Sequence, residues 1–387
     1  MNELRRKIEA EILERGPIPF SRYMEMCLYD PQLGYYSRNA AQFGKAGDFY
    51  TSSDVHAVFG RLLARQFEEM WRILGSSERI VIRELGPGRG LFAQDVLDWS
   101  EKKFPDFFRV LRYELVEQSA ALRARLEETL KRHIESGKAV SETSGAEARY
   151  SRGQVGATDV APIQRVHAIV FANEFFDAMP VEIVTDEGSL RIDTRNGRFV
   201  ETWVPSSAEE LEFLDRYSIH PEPGERVEVS RQSLMQMSKD ATIECGFVVV
   251  IDYGYTREEQ LAGRHRGTVK AIRQHSVSAN PYEAPGEQDI TADVNFTALA
   301  AVAQRRGLCA QKLLTQSQFL MGIGEANQFA DAFEECRLPQ ERAKVALQLK
   351  HLVTPAGVGE SFHVLVASKG VDAEKVSRLS GLGFGRR

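Results

Sequence analysis

Residues 79–90 read RIVIRELGPGRG: a β-branched apolar run, an acid at Glu84, then a turn carrying Gly86, Gly88 and Gly90. Valine and isoleucine suit a buried strand, and glycine allows a tight turn. The next residues, LFAQDVLDWSEKKF (91–104), have the apolar spacing of a helix. A strand, a glycine turn and a helix leave unpaired N–H groups and a positive dipole end at the helix start, where ligands bind.

The same alternation extends outward. VLRYELVE (110–117), HAIVFAN (167–173), GFVVVIDYG (246–254), CAQKLLTQ (309–316) and FHVLVASKG (362–370) read as strands. Ser119 can cap the helix AALRARLEETLKRH, and FTALAAVAQRRG (296–307) is a helix with a glycine stop. The pattern predicts an α/β fold: a parallel sheet covered by helices, with ligands at the carboxyl ends of the strands.

Other segments frame this core, which is expected over 79–181 and 236–370. Residues 1–78 read as a helical N-terminal region. Its first helix places Leu4, Ile8, Ile12 and Leu13 on one face and stops at Gly16-Pro17. Residues 29–53 form an aperiodic loop, and Val55, Phe59, Leu62, Leu63, Phe67, Met70, Trp71 and Leu74 then make a helical core stripe ended by Gly75. Within 182–235, Asn196-Gly197 between alternating segments signals a type I′ hairpin, so an antiparallel β insertion is expected there. Residues 255–294 are too long for a plain strand-to-helix loop and read as a lid or substrate-side element. The glycine-rich 371–387 reads as a flexible tail.

Composition narrows the functional class. The chain has 387 residues, enough for two to three folding units or one elaborated one. Its 55 acidic and 49 basic residues give a net charge of −6, against a dedicated nucleic-acid binder. Four cysteines form no C-x-x-C pair, which suits scattered small residues in a reducing compartment. No apolar run reaches membrane-spanning length, and the acid-rich N-terminus has no signal core, so a cytoplasmic location is expected. The eight histidines form no H-x-x-x-H or H-E-x-x-H pattern, so no metal is expected.

Four motifs carry chemistry. In ELGPGRG the glycines do not fit G-x-G-x-x-G, because the position for the third glycine is Leu91. The acid Glu84 would repel pyrophosphate and suits a cationic ligand such as S-adenosylmethionine; a plain structural turn is the bland alternative. Glu117 ends the next strand, where an acid can bind ribose hydroxyls or merely favour the following helix. In NEFFDAMP (173–180), Asn173, Glu174 and Asp177 stand at a strand's carboxyl end. There they can orient or deprotonate a nitrogen nucleophile, or cap a turn. A guanidinium would suit such a carboxylate fork. In GDFYTS (47–52), Asp48, Thr51 and Ser52 can close over a cofactor; the bland alternative is that Thr51, Ser52 and Ser53 cap the helix that follows.

GDFYTS (47–52), FGRLLA (59–64), ELGPGRG (84–90), NEFFDAMPV (173–181), DYGY (252–255) and DITADVNF (289–296) stand in the order of the MidA-type methyltransferases, and over residues 15–370 the chain resembles that family. These are the mitochondrial complex I assembly methyltransferases and their bacterial relatives. The resemblance implies a Rossmann-like class I S-adenosyl-L-methionine-dependent methyltransferase fold with added helical and insert elements. It implies S-adenosyl-L-methionine as cofactor, lined by Gly86, Gly88 and Gly90, with Glu84 at its amino-acid end and Glu117 on its ribose. Asn173, Glu174 and Asp177 would face the methyl acceptor. The acceptor it implies is a protein arginine, in respiratory complex I assembly. A protein substrate is the expected partner, and a homodimer an expected assembly. The competing readings are a non-catalytic cofactor-fold assembly protein and a nicotinamide-dependent oxidoreductase.

Overall fold

The computed structural model describes residues 2–38, 57–142, 167–273, 276–278 and 280–385. Its strands are β1 (Ile18–Pro19), β2 (Ile80–Leu85), β3 (Leu111–Val116), β4 (Ala139–Glu142), β5 (His167–Asn173), β6 (Glu182–Thr185), β7 (Gly188–Arg195), β8 (Arg198–Val204) and β9 (Val227–Val229). They continue as β10 (Cys245–Tyr255), β11 (Lys270–Arg273), β12 (Ser276–Ser278), β13 (Asp289–Thr291), β14 (Val294–Asn295), β15 (Cys309–Ala310), β16 (Leu314–Thr315) and β17 (Phe362–Lys369). The helices of ten residues or more are α1 (Glu3–Arg15), α2 (Phe20–Tyr29), α3 (Ala57–Ile73), α4 (Leu91–Lys103), α5 (Ala120–Thr129), α6 (Ala208–Tyr217), α7 (Arg231–Asp240), α8 (Phe296–Arg305), α9 (Gln316–Glu325) and α10 (Pro339–Val353). The chain divides into two compact units, each discontinuous in sequence. No described helix is long and apolar enough to cross a membrane.

One unit holds Thr51–Asn173, Asp240–Ile251 and Arg306–Arg387 as far as they are described. Its sheet runs in the order β15-β17-β10-β5-β2-β3-β4. Strands β4, β3, β2, β5 and β10 are parallel, and β15 and β16 pair antiparallel with β17. The expected strand 309–316 is thus two short pairings on one edge partner. β2 and β10 are almost wholly buried, as their Val and Ile content requires of strands covered on both faces. Phe92 of α4 stacks on Phe171 of β5 with ring centroids 4.6 Å apart, and Phe67 of α3 meets the same ring edge-on. Gly60 lets α3 lie close to α4: a Cβ there would sit 2.5 Å from the Cβ of Asp95. The chain goes outward from β2 to β3 and β4, then returns to β5 on the other side of β2. The carboxyl ends of β2 and β5 therefore flank the reversal point where open α/β sheets bind ligands.

The C-terminal stretch belongs to this unit and is packed rather than loose as far as it is described. Val376, Leu379 and Leu382 are buried, and the N–H groups of Ser380 and Gly381 donate to Glu69 and Gln66 of α3. Gly381, one of the glycines that suggested flexibility, serves close approach: a Cβ there would lie 2.4 Å from the Phe319 ring.

The other unit holds Met1–Tyr50, Glu174–Lys239 and Asp252–Arg305 as far as they are described. Its main sheet is antiparallel, in the order β1-β7-β6-β9, with β8 on β7. Asn196 and Gly197 both have positive φ (51° and 69°), the conformation a type I′ turn needs. The N-terminal segment joins this insertion: Ile18 pairs with Ile192, and Leu4, Ile8, Ile12, Phe20 and Tyr23 share a core with Ile183, Leu190 and Ile192. The helical region expected over 1–78 is therefore shared between the two units. Leu13 does not join the buried face of α1. It is 80% exposed, because the core takes the i, i+4, i+8 line of Leu4, Ile8 and Ile12. The segment expected as a lid supplies a small antiparallel sheet, β12-β11-β13.

Candidate active site

In the parallel-sheet unit, β2 ends at Leu85 and the backbone turns through Gly86 (φ 62°), Gly88 (φ 54°) and Gly90 (φ 77°). The Gly86 N–H donates to the Val116 carbonyl, tying the turn to the end of β3. Gly90 is the left-handed N-cap of α4, and a Cβ there would meet Leu126 at 2.8 Å. Gly88 faces open space: a Cβ built on it meets no heavy atom within 4 Å. Both glycines need their backbone conformation, but only Gly88 leaves room beside the turn.

Two buried acids belong to the same unit. Glu84 accepts a 2.8 Å hydrogen bond from the Tyr113 hydroxyl. Burial pushes its carboxyl up to about 8; the Tyr113 bond pulls the other way and the charge of Glu117 adds to the rise. Glu117, just past β3, accepts the Ser119 N–H at 2.9 Å, and the Gly88 and Gln118 N–H groups also donate to it. Burial still lifts it to about 7, against those donors. Ser119 caps α5 with its own side chain, so Glu117 does not serve as the N-cap. Its carboxylate instead braces the glycine turn through Gly88. Asn173 is the last residue of β5, paired with Ile251 of β10.

In the other unit, the chain resumes at Glu174, a non-glycine residue in the left-handed region (φ 49°). The next three N–H groups, of Phe175, Phe176 and Asp177, all donate to Oδ2 of Asp252, at 3.1, 2.9 and 3.3 Å. Asp252 is fully buried, and its Oδ1 accepts the Tyr253 N–H at 2.9 Å. Burial first, and then the charge of Glu174, pushes Asp252 up to about 8. Asp177 is buried too and held well above the usual carboxylate range, by burial and then by Asp252 and Asp289. Among the described residues neither Asp177 nor Asp252 has a basic partner. Asp289 accepts the Tyr36 hydroxyl at 3.0 Å. Asp293 sits low despite its burial, because His265 and Lys270 bind it. The result is a buried concentration of carboxylates that a cation would relieve.

Of the residues singled out in the sequence, Glu84, Gly86, Gly88, Gly90 and Glu117 come together in one unit, and Glu174 and Asp177 in the other. Asp48, Thr51 and Ser52 lie outside the described residues. Tyr113, Asp252 and Asp289 were not singled out as site residues. Asp252 had a signal: it is an acid inside the most apolar strand of the chain. Tyr113 had none, since an aromatic residue inside a strand reads as core.

The glycine turn and Glu117 suit S-adenosyl-L-methionine. The open space at Gly88 admits a ligand against the backbone, and the Glu117 carboxylate can accept ribose hydroxyls beside it. Comparison with known proteins agrees. The Methyltransf_28 family model, of S-adenosyl-L-methionine-dependent methyltransferases, matches residues 62–313. The chain is 28% identical over 419 residues to the Drosophila melanogaster protein arginine methyltransferase NDUFAF7 homolog, mitochondrial, covering 98% of this chain and 88% of the fly protein. It is 26% identical over 383 residues to the Homo sapiens protein arginine methyltransferase NDUFAF7, mitochondrial, covering 92% of this chain and 81% of the human protein. A crystal structure from Burkholderia thailandensis with S-adenosyl-homocysteine bound is 28% identical, with a TM-score of 0.79, covering 97% of this chain and 94% of that one. The cytoplasmic expectation is overturned, since the fly and human relatives are named as mitochondrial. The acids of α1 that suggested otherwise belong to a helix whose Leu4, Ile8 and Ile12 are packed into a core.

Proposed function

The chain belongs to this family of S-adenosyl-L-methionine-dependent methyltransferases and uses S-adenosyl-L-methionine, and we propose that its methyl acceptor is the guanidinium of a protein arginine. The observation that carries the proposal is the buried acidic turn: Asp177 and Asp252, with Glu174 between two strands' ends in sequence, and no basic partner for either aspartate among the described residues. A buried carboxylate without a cation is costly, and an arriving guanidinium supplies one. The names of the fly and human relatives support the same acceptor. A subunit of respiratory complex I, implied by the family resemblance, is the narrower form of this reading.

Gly86, Gly88 and Gly90 would hold the cofactor against backbone, Glu84 would face its cationic amino-acid end, and Glu117 its ribose. When bound, the cofactor supplies an electrophilic methyl group on a sulfonium. The remaining work falls to the protein. Guanidinium is protonated at any working pH and its nitrogens are poor nucleophiles. Glu174 and Asp177 would bind it through paired hydrogen bonds and localise its charge on the nitrogens they touch. The nitrogen carrying least of that charge keeps a usable lone pair. One of the carboxylates then takes the proton that this nitrogen loses as its bond to carbon forms. Holding the acceptor in line supplies much of the rate.

The test uses methyl-labelled S-adenosyl-L-methionine with the wild-type protein, the Glu174→Gln variant and soluble cell extract. Wild type is expected to label protein. The variant should bind the cofactor normally and lose about 10²-fold or more in transfer. Normal transfer by the variant would remove Glu174 from the reaction.

A further inference from the structure

The DYGY segment is not used by the mechanism above, yet its acid makes the densest backbone contacts of either acidic group. We infer that Asp252 is a positioning residue for the transfer reaction, holding Glu174 and Asp177 in their working orientation by binding the three N–H groups between and including Phe175 and Asp177. The inference rests on the reading of Glu174 and Asp177 as the acceptor-binding acids.

Glu174 has φ 49°, a conformation that costs a side chain with a Cβ about 1 kcal/mol or more and persists only where its surroundings enforce it. Successive N–H groups following such a residue form a concave nest that binds an anion. Here the nest encloses Oδ2 of Asp252, with donors at 3.1, 2.9 and 3.3 Å. The carboxylate is itself fixed, because it lies within an apolar strand, is fully buried, and accepts the Tyr253 N–H through its other oxygen. An amide at 252 keeps the shape but offers one acceptor oxygen in place of two. It turns an NH2 toward either the nest or the Tyr253 N–H, so one set of donors meets a donor. The turn then relaxes, and its two acids move off line without any change in their identity.

The experiment compares wild type with Asp252→Asn. Backbone amide exchange is followed by NMR at residues 175–177, cofactor affinity by calorimetry, and kcat and KM by labelled transfer to extract protein. In wild type the amides of 175–177 should exchange as slowly as those of the apolar strand leading to Asp252. In the variant they should exchange faster, and kcat should fall about 10²-fold with KM changed far less, because misplacement acts on the reacting geometry. Cofactor affinity should stay within about twofold, which a general loss of structure would not allow. Fast exchange at 175–177 in wild type overturns the inference, and so does a folded variant with unchanged kcat. If the variant does not fold, the wild-type exchange rates still decide it. If wild type itself transfers no methyl group to protein, the acceptor reading fails, while the exchange data separately accept or reject the role of Asp252 in holding the turn.

Discussion

Gly88 and Gly90 lie two residues apart, and their surroundings assign them different duties. Gly90 has a packing reason: its missing Cβ makes room for Leu126. Gly88 has open space beside a left-handed backbone, and on the proposed reading the cofactor occupies that space. Gly90→Ala should lower stability by about 2 kcal/mol or more, from the left-handed backbone and the clash together. Gly88→Ala should cost about 1 kcal/mol of stability and far more in cofactor affinity. Thermal melts and calorimetric titration of both variants test this, and equal loss of affinity with equal loss of stability would refute the distinction. Glu117→Ala should weaken cofactor binding roughly 10- to 100-fold, the worth of two ribose hydrogen bonds. Unchanged affinity would return Glu117 to a purely structural brace of the turn. These residues were legible because strand, turn and helix signals met at one place. Asp252 and Tyr113 were not, because their importance lies in partners that are distant in sequence: Asp252 binds residues 75–77 positions away.

At the scale of elements, periodicity located the strands and helices but not the company they keep. The strands around 80–85, 111–116, 167–173 and 245–255 lie where apolar runs put them, since parallel strands buried on both faces have an unmistakable composition. The hairpin at 196–197 was equally legible, as two consecutive left-handed residues need Asn-Gly chemistry. What could not be read was that β1 adds to the insertion sheet across more than 170 residues of chain. Nor could α1 be phased from its apolar residues alone: Leu13 follows Ile12 by one step of about 100° and leaves the core. Ile8→Ala should therefore cost about 2–4 kcal/mol, and Leu13→Ala within about 0.5 kcal/mol. Chemical denaturation of the two variants checks this, and a large effect at Leu13 would mean that its face is covered.

For the molecule as a whole, the buried acids carry a stability cost that pH reveals. Burial raises Glu84 to about 8, Glu117 to about 7, Asp252 to about 8 and Glu228 to about 7. Each lies above its unfolded value, so the folded state holds more protons. Stability from these groups is complete below about pH 4.5 and is lost as pH rises toward and through 7 to 8. The cofactor-free protein should melt at lower temperature at pH 9 than at pH 6, and Glu84→Gln should flatten that slope. A melting temperature that rises over this range would contradict the assignment of these groups as buried and proton-bound.

The claim that joins fold, acids and family is that a protein arginine receives the methyl group. The most direct measurement is mass spectrometry of protein labelled by the wild-type enzyme with S-adenosyl-L-methionine, read for which amino acid carries the methyl group. Methylarginine, absent when Glu174→Gln replaces wild type, is the expected result. Methyl groups on lysine, glutamine or a small molecule, with arginine unmodified, would contradict it.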